Sequence, residues 1–361
     1  MGPLTFVLLI AGIVLLILGA EAMVRGATRL AIGLGVSPLL VGLTVVAFST
    51  GSPELAVGIQ SALAGSADIA LGNVVGSNIL NVLLVLGASA LIIPLSVHPK
   101  IVRVDVPIMV GASLLVLLFS LDGNIAPLEG ALMFAGMLLY TGFAVLQSRR
   151  ESRAAQKEYE AEFSAPRSNR LRDLAGSIAL VVIGLVLLVI GSGWMVDGAT
   201  AIARALGVSE LIIGLTVVAI GTSLPEIVTS IVAAMRGQRD IAVGNVVGSN
   251  IFNLLAVLGL TALIAPAGVN VAASALRFDM PVMFAVAVAC FPVFINHARI
   301  ERWEGALFLG YYVAYTLYLV LDAIHPESLR LYSGVMIAFT LSLFAVTLFV
   351  IVRNRLRRRR R

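Results

Sequence analysis

The sequence predicts an all-α integral membrane protein built from two inverted five-helix repeats, ten core transmembrane helices in all, with an additional C-terminal transmembrane helix. Three observations lead there. Of 361 residues, 59% are hydrophobic and only 12% charged, too little polar surface to cover a soluble fold. Apolar runs of about 20 residues, one bilayer crossing each, recur along the chain. A polar motif set in this apolar sequence is also written twice. Gly42-Leu-Thr-Val-Val-Ala-Phe-Ser-Thr-Gly-Ser-Pro-Glu54 and Gly72-Asn-Val-Val-Gly-Ser-Asn-Ile-Leu-Asn81 return as Gly214-Leu-Thr-Val-Val-Ala-Ile-Gly-Thr-Ser-Leu-Pro-Glu226 and Gly244-Asn-Val-Val-Gly-Ser-Asn-Ile-Phe-Asn253, with a constant offset of 172 residues.

Taken in order, spans are expected near Leu4–Met23, Pro38–Leu63, Ile69–Pro94, Val104–Leu121 and Pro127–Leu146, completing a first repeat over residues 1–146 with its motif at 42–87. The first run is expected to be a retained helix and not a cleaved signal, because no basic residue precedes it and it has a counterpart later. Residues 147–173 form a charged connector, too short for a folded domain, in which 149–162 can make a solvated helix. The second repeat, 174–323 with its motif at 214–259, holds spans near Leu174–Val196, Leu211–Met235, Ile241–Pro266, Phe278–Ile295 and Trp303–Leu321. Residues 324–361 add a helix near Leu331–Val352 and the run Arg357 to Arg361. The duplication extends beyond the motifs. Arg103-x-Asp105-x-Pro107 returns as Arg277-x-Asp279-x-Pro281, and Glu129-Gly-Ala-Leu132 as Glu304-Gly-Ala-Leu307.

Five crossings per repeat make the copies enter the membrane from opposite faces. Basic residues agree. Arg25, Arg29, Lys100, Arg103, the seven Lys and Arg of the connector, Arg236, Arg239, Arg299, Arg302 and the Arg tail share one face if the N-terminus is outside; Arg204, Arg277 and Arg330 are outnumbered. The protein is therefore expected in a cell membrane as a multi-pass chain, with connector and tail cytoplasmic. The net charge of +5 comes largely from that tail, which reads as a membrane anchor and not as a nucleic-acid arm. Cys290 is the only cysteine, so no disulfide framework or paired-thiol metal site exists. No enzyme chemistry and no cofactor are expected, and a monomer suffices.

A carboxylate in mid-membrane costs about 2.5–3.5 kcal/mol on insertion scales and needs a partner or a cation. Glu54 and Glu226 are such residues; protonated, packing glutamates are the plainer alternative. Pro53 and Pro225 lack an N–H, so the carbonyls of Ser49 and Gly221 lose their helical donors and become available to a cation. Gly51 and Gly221 loosen the same turns, giving the broken helices found where backbone lines a cavity. On the next span, Asn73, Ser77 and Asn81 share one helix face, as do Asn245, Ser249 and Asn253, with Asn78 and Asn250 alongside. The paired glycines Gly72/Gly76 and Gly244/Gly248 read as packing positions. With Thr50 and Thr222 these groups form an all-oxygen set suited to a hard cation, Ca²⁺ before Mg²⁺, whereas zinc and copper would want His or Cys. His98, His297 and His325 sit at loop edges.

At these residues the sequence resembles the cation/calcium antiporter superfamily, and within it the bacterial sodium/calcium exchanger family, whose inverted repeats carry the Gly-Thr-Ser-x-Pro-Glu and Gly-Ser-Asn-x-x-Asn patterns. The resemblance implies a central site with Ca²⁺ held by Glu54 and Glu226, beside Ala47, Ala219, Thr50 and Thr222. It implies sodium sites drawing on Ser77, Ser249, Ser223, Asn81 and Asn253. Two positions depart from or divide the family. Gly51 stands where the pattern has a hydroxyl, which Ser223 keeps, unless Ser52 substitutes. Asn253 stands where potassium-dependent members carry Asp, which leans against potassium transport. The implied activity is exchange of Ca²⁺ for Na⁺ by alternating access. A Ca²⁺/H⁺ antiporter on the same scaffold is the nearest alternative; a cation channel and a non-transporting scaffold are further ones.

Overall fold

The structure, a computed structural model, describes residues 3–65, 67–159, 170–207, 219–295 and 298–324. The eleventh span, the Arg tail, the 214–218 part of the second motif, His297 and His325 lie outside these. In the first half, α1 (Pro3–Leu34) is followed by α2 (Pro38–Thr50) and α3 (Ser52–Leu63), two arms of one span bent by 46°. Then come α4 (Ile69–Ile92), α5 (Ile101–Phe119) and α6 (Pro127–Tyr159). α6 runs unbroken into the connector, so the solvated helix expected there is the end of a membrane span. The second half holds α7 (Arg170–Ala205), α8 (Ala219–Thr222), α9 (Leu224–Met235), α10 (Arg239–Ile264), α11 (Ala275–Phe294) and α12 (Arg302–Ile324).

Two short antiparallel ribbons tie the halves together. β1 (Leu95–Ser96) pairs with β4 (Arg299–Ile300), and β2 (Asn124–Ile125) pairs with β3 (Val269–Asn270). β1 and β2 are separated by a single crossing, α5, and so lie on opposite faces. β3 follows α10 as β1 follows α4, yet it pairs with β2. Repeat-related strands therefore occupy opposite faces, and the second half is inverted.

Glycine sets how closely the helices approach. Down the α1–α7 seam glycines recur every seven residues on both helices, Gly12, Gly19 and Gly26 on α1 and Gly184, Gly191 and Gly198 on α7; Gly12 meets Gly191 and Gly19 meets Gly184, while Gly26 lies against Val181 and Gly198 against Leu9. A carbon added at Gly184 would lie 2.7 Å from Met23 N and 2.8 Å from Gly19 O, both backbone. Gly130 meets Gly259 and Gly87 meets Gly305 in the same way, so α6 of the first half grips α10 of the second, and α12 of the second grips α4 of the first. Gly244 and Gly248 bring α10 onto the backbone of α2, at Leu39 and Leu43, as packing positions should.

The doubled acidic motifs have structural roles. Glu129 and Glu304 reach back to the N–H groups of Ala126 and Glu301, both at 2.8 Å, and cap α6 and α12. Tyr140 donates to Asp105 at 3.1 Å and Tyr315 to Asp279 at 2.9 Å, joining α5 to α6 and α11 to α12. On the surface, Arg236 at the end of α9 bonds Glu21 of α1 through Nε at 2.9 Å, and Glu21 also meets Arg25.

This interlocking buries α4 and α10 at the centre. Their apolar windows are 72% and 83% buried, against 22–33% for the outer helices α1, α6, α7 and α12. The two polar stripes are thus carried by the helices with least access to lipid. Gly184→Ala is expected to force α1 and α7 apart at a cost of about 1–3 kcal/mol. A lower thermal midpoint in detergent would register it, while Gly142→Ala, with no described atom near the added carbon, leaves the midpoint unchanged.

Candidate functional site

Both motif prolines occupy the first turn of a helix, which needs no N–H from them, and each follows a break that leaves the carbonyl four residues back without a helical donor. Gly51 (φ −79°, ψ 2°) separates α2 from α3; Ser223 (φ −92°, ψ 7°) separates α8 from α9. The breaks place Glu54 and Glu226 in the first turns of α3 and α9, both fully buried. The two carboxylates are near enough to interact electrostatically.

The residues around them bond across the repeat boundary. Thr50 donates to Asn245 Oδ1 at 3.1 Å, and its counterpart Thr222 donates to Asn73 Oδ1 at 3.4 Å. Thr50 also faces the Glu226 carboxylate. Ser223 Oγ lies 3.4 Å from Glu54 Oε1 and 3.2 Å from Ser77 Oγ. Each threonine therefore binds the stripe of the opposite half, and Ser223 joins Glu54 to α4.

Several buried groups have no hydrogen-bond partner among the described residues: Glu54 Oε2, both oxygens of Glu226, Ser249 Oγ, and the amide oxygen and nitrogen of Asn81 and Asn253. Unmet polar groups cost about 1–3 kcal/mol each, and charged ones more. Buried polar side chains left in this state within an apolar bundle call for a partner, and a bound ion is one kind of partner that could supply it. Asn81 and Asn253 also open π-helical segments, Asn81–Leu86 and Asn253–Val257, where the hydrogen-bond register widens.

Other expected ligands are placed differently. Asn78 Nδ2 donates to Val74 O of its own helix at 2.7 Å and Asn250 Nδ2 to Met109 Sδ of α5 at 3.4 Å, while Asn250 Oδ1 is buried with no partner among the described residues. Ala47 is buried, and its carbonyl accepts from Gly51 N at 3.0 Å; Ala219 opens the described part of α8. The Gly221 carbonyl, expected to be free for a cation, accepts the Ser192 hydroxyl of α7 at 2.6 Å. Ser52, the neighbouring hydroxyl that could stand in for the one missing at Gly51, donates to Phe48 O of its own span at 2.7 Å. The space beside Gly51 is filled by Phe252, whose ring would lie 2.9 Å from an added carbon.

Sequence reasoning singled out neither Ser192 nor Ser230, which accepts from Asn245 Nδ2 at 3.0 Å. The signal was available in the differences between the copies: the repeat mates of Ser192, Ser230 and Phe252 are Ala20, Gly58 and Leu80. Among the described residues no three His, Cys, Asp or Glu side chains converge, so any ion here would rest on two carboxylates with amides, hydroxyls and carbonyls.

Two interlocked inverted halves, with broken helices meeting at a buried polar centre, define a secondary transporter. Comparison with known proteins gives the family. The model of the sodium/calcium exchanger protein family matches residues 4–146 and 176–321, and the chain belongs to that family. It is similar to the putative antiporter CaxA of Alkalimonas amylolytica, at 38% identity over 86% of this chain and 96% of that one. It is also similar to the sodium/calcium exchanger MaX1 of Methanosarcina acetivorans, at 33% identity over 87% and 98%. The solved sodium/calcium exchanger of Methanococcus jannaschii superposes with a TM-score of 0.73 at 29% identity, over 87% of this chain and 97% of that one. The protein is a multi-pass membrane cation/calcium antiporter, and not an enzyme.

Ser230→Ala is expected to leave the buried Asn245 amide unpaired and to cost about 1–3 kcal/mol, read as a lower thermal midpoint of the purified protein.

Proposed function

We propose that the protein exchanges Ca²⁺ for Na⁺ by alternating access at a site centred on Glu54 and Glu226. The observation that carries this reading is the approach of two fully buried carboxylates, one from each inverted half, with three of their four oxygens lacking a hydrogen-bond partner among the described residues. A pair of carboxylates is neutralised equally by one Ca²⁺, two Na⁺ or two protons, which is the physical basis of exchange at a shared site. Thr50, Thr222, Ala47 and Ala219 would complete the Ca²⁺ position. Ser77, Ser249, Ser223, Asn81 and Asn253 would serve Na⁺, with Asn78 and Asn250 as outer supports. The basic residues favour connector and tail on the cytoplasmic side, with Ca²⁺ leaving as Na⁺ enters. A monomer contains every group named.

Glu54→Gln and Glu226→Gln are each expected to abolish ⁴⁵Ca uptake into proteoliposomes under a Na⁺ gradient, with insertion retained. In the wild type, Ca²⁺ at about 100 times its Kd should stabilise the fold by about 2.7 kcal/mol, and this gain should vanish in either variant.

A second reading, Ca²⁺/H⁺ exchange, draws support from Gly51 and Phe252, since the first-half hydroxyl is missing and an aromatic ring occupies its place. Uptake driven by a Na⁺ gradient with the pH gradient collapsed separates the two. Gly51→Ser combined with Phe252→Leu makes both positions match their repeat mates and is expected to increase Na⁺ dependence, whereas Gly51→Ser alone collides with the ring and lowers stability.

A further inference from the structure

The two broken helices are not held alike. Pro225 denies the Gly221 carbonyl its helical donor, and no water is available inside a bilayer to replace it. Ser192 of α7, itself 9% exposed, supplies the missing hydrogen bond at 2.6 Å. α7 also packs its Val196 side chain into the space that a β-carbon at Gly221 would occupy. The tight turn continues from Ser223 N to Ile220 O at 3.1 Å and delivers the Ser223 hydroxyl to Glu54 Oε1 and Ser77 Oγ. In the first half Pro53 frees the Ser49 carbonyl in the same way, but the repeat mate of Ser192 is Ala20, which has no hydroxyl to offer.

We propose that Ser192 is a positioning residue of the ion site: by holding the Gly221 carbonyl it fixes the second-half turn so that Ser223 meets Glu54, and it thereby sets how Na⁺ competes with Ca²⁺ there. Ser192 acts through the turn and touches no ion. The inference rests on the two-glutamate reading above. It adds an unequal division of labour, in which the second-half turn is pinned from outside the motif while no described side chain does the same for the Ser49 carbonyl of the first-half turn.

The test uses the full chain in proteoliposomes, measuring ⁴⁵Ca uptake against Ca²⁺ and against competing Na⁺. Ser192→Ala is expected to raise the KM for Ca²⁺ about fivefold, the equivalent of one lost hydrogen bond of about 1 kcal/mol. It should shift the Na⁺ inhibition constant by a different factor and hold the maximal rate within about twofold. Ser192→Thr, which keeps the donor, should restore both constants. Ser192→Cys keeps the volume with a weak donor; it should behave like the alanine variant and serves in its place if that variant does not fold. Unchanged KM and unchanged Na⁺ inhibition in the alanine and cysteine variants would overturn the proposal, as would a fall in maximal rate alone. Glu226→Gln is run in parallel. Wild-type uptake in that variant would remove the site itself, a failure distinct from normal ion constants in the Ser192 variants with Glu226→Gln inactive.

Discussion

Two carboxylates buried within apolar helices, with no basic partner among the described residues, govern what the rest of this bundle must do. Glu54 and Glu226 are fully buried within apolar helices, and three of their four oxygens find no donor among the described residues. Holding them there draws on the whole fold. α4 and α10 must lie at the centre, away from lipid, and the helices before each glutamate must break so that the side chains enter at one level. The outer helices must then seal the assembly. The cost of isolating such groups, of the order of kcal/mol for each, is tolerable because the surrounding packing is tight and interleaved.

That packing follows from inversion. Each half is incomplete: α6 closes over α10, α12 closes over α4, and each two-residue ribbon takes one strand from either half. The threonine of one broken helix bonds the asparagine of the opposite stripe, and the reciprocal bond is present as well. The halves are therefore coupled through side chains that themselves surround the glutamates, so a rearrangement of one half against the other changes the environment of both carboxylates together.

Much of this was legible in the sequence because the motif is doubled in register, and both glutamates, both prolines and the polar stripes fell where the copies agree. Other features were not. A π-helical segment such as Asn81–Leu86 shifts the hydrogen-bond register without altering the apolar pattern, so composition carries no trace of it. The close approach of α1 and α7 follows from a glycine seam between residues more than 150 positions apart, and the filling of the Gly51 position by Phe252 from a contact some 200 positions long. The fate of the Gly221 carbonyl was misread for the same reason: the proline shows that a donor is lost, while the Ser192 hydroxyl that replaces it lies on another helix.

The bridge from Arg236 to Glu21 has no partner on the opposite face, since the repeat mates of these residues are Ala64 and Gly193. Two perfect copies of one sequence would give inward-open and outward-open forms of equal energy. Departures from exact duplication remove that equality, and the Arg236–Glu21 bridge is one of them; for a pair as exposed as Arg236 its whole worth is at most about 1 kcal/mol. Together with Ser192 and Phe252 it marks where divergence between the copies has made the two faces of the bundle unlike.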